Sequence, residues 1–109
     1  MKKMYMIAST HLDREGYYLF EIFRARMTEI MRKTIGMFES GALQYFHWDG
    51  QTSVLEDFLE IHPELEAAVV ALIRNGKLIV GPWHVQPDEF IVSGESHVRN
   101  LLIARQLQL

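Results

Sequence analysis

The feature that most constrains this chain is the order of its segments. Three short apolar runs, Tyr5 to Ser9, Leu43 to Trp48 and Lys77 to Val80, alternate with stretches whose apolar residues return every three or four positions. Short apolar runs bounded by charge or turn residues read as strands, and Tyr5 to Ser9, with no polar alternation, reads as one buried on both faces. Leu43 to Trp48 is rich in aromatics and closes at Asp49-Gly50, a strand followed by a tight turn. Leu19, Phe20, Phe23, Met27, Ile30, Met31, Ile35 and Phe38 place a long amphipathic helix over about Tyr18 to Glu39, stopped near Gly41. Ser53 with Glu56 predicts a capping box that opens a second helix. Pro63 suits the first turn of a third, whose Leu65, Val69, Leu72 and Ile73 share a face until Asn75-Gly76 ends it. From about Glu95, the residues Val98, Leu101, Leu102 and Leu109 fall on one stripe of a last helix.

Strand, helix, strand, helices, strand, helix is an α/β order. It implies parallel strands joined by crossover helices, either an open doubly wound sheet or the beginning of a barrel. Three such strands leave an uncovered edge, and a closed barrel needs several more strand and helix units. The helical pattern also runs to Leu109 without a cap. The expectation is one incomplete domain, residues 1–109, forming the N-terminal piece of something larger and prone to self-association through its open faces.

Composition excludes several classes of function. The 11 basic and 14 acidic residues give a net charge of -3 and are spread along the chain, so no basic stripe is available to neutralise nucleic acid or an anionic membrane. Cysteine is absent, which leaves histidine and carboxylate as the strong ligands for a transition metal. Met1-Lys2-Lys3 followed by Met4 to Ala8 mimics a signal peptide, but Ser9-Thr10-His11 cuts the apolar run short. No stretch approaches the ~18 apolar residues that cross a bilayer, so a soluble, cytoplasmic chain is expected.

In α/β folds the active site gathers where parallel strands end. Three polar motifs follow the three strands here: His11-Leu12-Asp13, His47-Trp48-Asp49-Gly50-Gln51, and Gly81-Pro82-Trp83-His84-Val85-Gln86-Pro87-Asp88-Glu89. A spacing of two puts His11 and Asp13 on one side of an extended backbone. Imidazole nitrogen and carboxylate oxygen both bind zinc at about 2 Å. Taken alone, the same residues suit a capped turn, with Asp13 accepting helix amides. Asp49 and Asp88, each taken alone, read as turn residues.

Together the motifs resemble the family 38 glycoside hydrolases, which are zinc-dependent retaining α-mannosidases. His11-Leu12-Asp13-Arg14-Glu15, then Asp49-Gly50-Gln51-Thr52 with Leu55-Glu56-Asp57, then Gly81-Pro82-Trp83 through Gln86-Pro87-Asp88-Glu89-Phe90, and finally Ser93-Gly94-Glu95-Ser96 with Val98-Arg99-Asn100-Leu101 stand in family order. The resemblance covers nearly the whole chain and implies the first part of the family's N-terminal catalytic domain, a partial (β/α) barrel. It implies zinc (Zn²⁺) as cofactor, an α-mannoside as substrate, and His11, Asp13 and Asp88 as metal ligands. Asp88 matches the nucleophile, and Arg99 the arginine that orients it and keeps it ionised. The general acid and a further histidine ligand are implied to lie outside these residues, so the chain alone is expected to be inactive. Family members carry a tryptophan that supports the sugar where this chain has Gly16. Neighbouring Tyr17, and Trp83 after the third strand, are the substitutes for stacking on substrate. His47, His62, His84 and His97 have no motif support and read as surface or satisfied core residues.

Overall fold

The first long helix, α1, spans Phe20–Glu39 and buries Met27, Met31 and Ile35, each four residues after the last. Thr28 and Thr34 lie on the same face and return their hydroxyls to the carbonyls of Arg24 and Ile30, which satisfies them without water. These elements come from a computed structural model that describes residues 2–14 and 16–107. Strand β1 is Phe46–Trp48, followed by α2 over Ser53–Ile61, a 3-10 turn at Pro63–Leu65, α3 over Glu66–Arg74, β2 over Leu78–Val80, and α4 over Gly94–Ala104. The helical pattern and its stops lie where periodicity, Pro63 and Asn75-Gly76 place them.

β1 and β2 pair in parallel, with Phe46 opposite Leu78 and Trp48 opposite Val80. On the other side of β1 a single parallel bridge joins Ser9 to His47, made when the His47 amide donates to the Ala8 carbonyl at 2.9 Å. β1 is therefore held from both sides, and the three segments lie in parallel order as expected for an α/β chain. The core packs Trp48, Val54, Leu55, Phe58, Met31, Val69 and Leu78 between α1, α2, α3 and the two strands. Each of these side chains is at most 2% exposed, and burial of one such large side chain is worth about 1.5–3 kcal/mol.

Three expectations need correction. Tyr5 to Ser9 is not a buried strand: Tyr5, Met6 and Ile7 are 82%, 92% and 73% exposed. The segment runs along one edge of β1, and no described element covers its faces. The capping box does not form, because Thr52 occupies the cap without a side-chain bond. The first amides of α2 instead go to the loop after β2, with Thr52 N–H donating to the Trp83 carbonyl and Ser53 N–H to that of His84. Finally, the apolar stripe of α4 is not packed, since Val98 and Leu102 are both about half exposed. Leu109 lies outside the described residues.

Candidate active site

β1 ends in a sharp turn where Asp49 has φ 41° and Gly50 φ 67°. Both are left-handed, a conformation that glycine accepts freely and that aspartate tolerates better than most residues. The turn tucks the Asp49 side chain inward until the residue is only 5% exposed. One carboxylate oxygen, Oδ1, lies 3.1 Å from His11 Nδ1. The other, Oδ2, accepts the Leu12 amide at 2.8 Å and the Gln51 side-chain amide at 2.6 Å. Gln51, also buried, spans two loops. Its Nε2 donates to the Leu12 carbonyl at 3.2 Å and its Oε1 accepts the Gln86 amide at 3.1 Å.

A second anchor lies on α2, where buried Asp57 takes Arg14 Nη2 at 2.7 Å. The Arg14 and Arg24 guanidiniums stand over the Phe20 ring at 5.0 and 5.5 Å, which adds cation–π attraction to the ion pair. The loop from His11 to Arg14 is thus fixed by Asp49 and Gln51 at its start and by Asp57 at its end.

The loop after β2 is fixed from α4. Asn100 Oδ1 accepts the amides of His84 at 2.7 Å and Val85 at 3.0 Å, and its Nδ2 donates to the Val85 carbonyl at 2.6 Å. Replacing Asn100 by alanine removes three bonds to backbone groups, and we expect a loss of about 1–3 kcal/mol. Amide hydrogen exchange should show faster opening at residues 84–86, with α1 protection little changed. An equal acceleration across the chain, or no local change, would argue against this anchoring role.

Between the two loops is a cleft of about 670 Å³ lined by His11 to Arg14, Gln51 and Val85 to Asp88. His11 and Asp13 share it with Asp88, which is far from both in sequence. His11 Nε2 lies 3.3 Å from Asp13 Oδ1, so this pair converges as its spacing suggests. Asp88 lines the cleft from the other loop and does not close a three-ligand set with them, and among the described residues no cluster of three His, Asp or Glu side chains is arranged around one ion. The donor set nevertheless suits zinc in kind. An imidazole whose Nδ1 faces a buried carboxylate is the usual outer-shell arrangement of a zinc-binding histidine, and a carboxylate stands beside its free nitrogen.

Residues 1–108 match the sequence profile of the glycosyl hydrolases family 38 N-terminal domain. The chain belongs to that family. A relative from Halalkalibacterium halodurans, named "Putative mannosylglycerate hydrolase", is 42% identical over 102 residues, 93% of this chain and 11% of the relative. An α-mannosidase from Enterococcus faecalis V583 superposes with a TM-score of 0.85 at 37% identity over 92% of this chain and 11% of that one. A second E. faecalis structure, a protein in glycosyl hydrolase family 38, gives a TM-score of 0.79 at 35% identity and covers 92% of this chain and 12% of its own. The chain thus spans about a tenth of the length of these relatives.

The other family 38 positions lie apart from the cleft lining. Arg99 donates its Nε to Glu95 one turn earlier on α4, at 2.6 Å, rather than to Asp88. Asp88 begins a turn, its carbonyl accepting the Ile91 and Val92 amides. Tyr17 is largely exposed and Trp83 packs its ring 5.8 Å from that of His97. Neither lines the cleft. Gly16 has φ +109° with nothing within 4 Å of where a Cβ would stand, so a tryptophan there would have room but would strain the backbone. Glu15 lies outside the described residues. Asp49, Gln51 and Asn100 organise the site, although none of them reads as functional from local sequence. The signal for the first two was their place, two apart, just past a strand end.

Proposed function

We propose that this chain supplies one part of the active site of a zinc-dependent retaining α-mannosidase, with His11 and Asp13 as metal ligands and Asp88 as both ligand and nucleophile. The observation that carries this reading is the meeting of those three side chains at one cleft. The names of two relatives, an α-mannosidase and a mannosylglycerate hydrolase, share a mannosyl group as the part of the substrate held in common. The parallel order of the segment at Ser9, β1 and β2 supports a place in a (β/α) barrel, whose strand ends hold the chemistry.

Zinc bound here would grip sugar hydroxyls and favour distortion of the ring. The Asp88 carboxylate attacks the anomeric carbon, the glycosidic bond breaks, and the departing oxygen takes a proton from an acid outside these residues. Water then displaces Asp88 in a second step, which returns the proton and retains the anomeric configuration. Arg99 is the proposed guanidinium partner that orients Asp88 for attack. Its pairing with Glu95 is exposed on both sides and worth about 0.3–0.5 kcal/mol, a weak hold against reorientation toward Asp88.

The same surfaces support self-association of the isolated chain. Met4 to Ile7 and the α4 stripe leave apolar side chains in water beside an open strand edge. Gly16 and the exposure of Tyr17 favour a second reading, a non-catalytic relative that binds sugar, metal or a partner.

A chimera separates the two. This chain, exchanged for the matching segment of the E. faecalis α-mannosidase, should yield an enzyme that releases mannose from an activated aryl α-mannoside, whereas the 109-residue chain alone should release none. A folded, zinc-loaded chimera without turnover would favour the non-catalytic reading.

A further inference from the structure

Asp49 lies outside the proposed ligand set, yet it is the carboxylate most completely enclosed by this site. Its side chain is 3% exposed, while that of His11 is 67% exposed. Two donors, the Leu12 amide and the Gln51 side-chain amide, already converge on Oδ2. Oδ1 faces only the His11 ring nitrogen at 3.1 Å, and an ionised carboxylate can only accept. His11 Nδ1 must therefore carry the hydrogen. In the neutral ring this leaves Nε2 as a bare lone pair, and Nε2 points at Asp13 Oδ1, 3.3 Å away. Two acceptors at that distance repel each other unless a cation lies between or beside them or a second proton occupies Nε2.

We propose that Asp49 is a positioning residue that locks the neutral His11 imidazole in its Nδ1–H tautomer, so that Nε2 and the Asp13 carboxylate present a paired donor set to a divalent cation in the cleft. The proposal rests on the zinc reading above for the identity of that cation, while the tautomer lock stands on the geometry alone. It makes Asp49→Asn an informative change. The two donors at Oδ2 hold the new amide oxygen on their side, which turns the amide NH₂ toward His11. Nδ1 then becomes the acceptor, the hydrogen moves to Nε2, and the lone pair no longer faces the cleft.

The test reads the tautomer directly. Solid-state ¹⁵N–¹³C spectra of sedimented, histidine-labelled chain, taken at about pH 9 where imidazole is neutral, report Nδ1–H or Nε2–H irrespective of assembly size. The His11 signals are assigned by their loss in His11→Gln. The expected result is Nδ1–H in the unaltered chain and Nε2–H in Asp49→Asn, together with a loss of about 10- to 100-fold in zinc affinity measured by chelator competition. An Nε2–H signal in the unaltered chain would overturn the proposal even if the variant failed to fold. So would an unchanged tautomer in a folded variant. A tautomer switch in a chain that binds no zinc would uphold the role of Asp49 and sink the zinc-glycosidase reading instead.

Discussion

Replacing Phe58 by alanine is expected to cost about 3–5 kcal/mol, enough to unfold much of a domain whose total stability is of order 5–15 kcal/mol. Phe58 is fully buried with Val54 and Leu55 on the inner face of α2, and its ring lies 5.4 Å from that of His62. It is a node of the single described cluster that joins α1, both strands and α3. Neighbours fixed in helices cannot collapse into the cavity left behind. Urea denaturation followed by circular dichroism measures the effect. A midpoint shift equivalent to less than about 1 kcal/mol would mean that this cluster does not hold the fold together.

In the chimera described above, Asp88→Ala should lower kcat for an aryl α-mannoside by about 10⁴-fold or more, the scale on which nucleophile deletions act. Alanine offers no atom to attack the anomeric carbon, and no other carboxylate among the described residues lines the cleft except that of Asp13. A merely structural role would also disturb folding, so the melting temperature is measured beside the rate. A drop in rate at unchanged melting temperature supports the nucleophile. A residual rate within about tenfold of the parent would assign the attack elsewhere, since tenfold is only about 1.4 kcal/mol of barrier.

What could be read from the sequence was local, and what could not was long-range. The core stripe of α1 followed from the spacing of Met27, Met31 and Ile35, because a helix repeats every 3.6 residues whatever it packs against. Pro63 opened the 3-10 turn that leads into α3, and Asn75-Gly76 ended the helix, by backbone chemistry that needs no partner. The exposure of Tyr5, Met6 and Ile7 could not be foreseen, since an apolar run says that a segment favours burial and not which element lies over it. The start of α2 misled for a related reason. Ser53 and Glu56 satisfy a local capping rule, but the His84 carbonyl takes the Ser53 amide from a loop some thirty residues away, and the Thr52 carbonyl takes the Glu56 amide because the helix is capped one residue earlier.

The site divides in the same way. His11 and Asp13 were legible because two residues at a spacing of two share one side of an extended chain, and the pair does converge. Asp49 was half legible. Its turn conformation is the one expected after β1, but its bonds to His11 and Leu12 cross 38 and 37 positions, and no local pattern encodes them. Asn100 is similar, since nothing in its neighbourhood on α4 announces that it holds a loop sixteen residues back. Asp88 and Arg99 were named by resemblance. The structure brings Asp88 to the cleft and leaves Arg99 paired within its own helix.

Zinc-edge X-ray absorption of the 109-residue chain with one equivalent of the metal bears most directly on whether this cleft is a metal centre. If it is, the first shell consists of nitrogen and oxygen at about 2.0–2.2 Å without sulfur, and the imidazole scattering is lost in His11→Gln and the shell altered in Asp13→Asn. A spectrum that stays the same in both variants would place the zinc on other histidines and contradict the site proposed here.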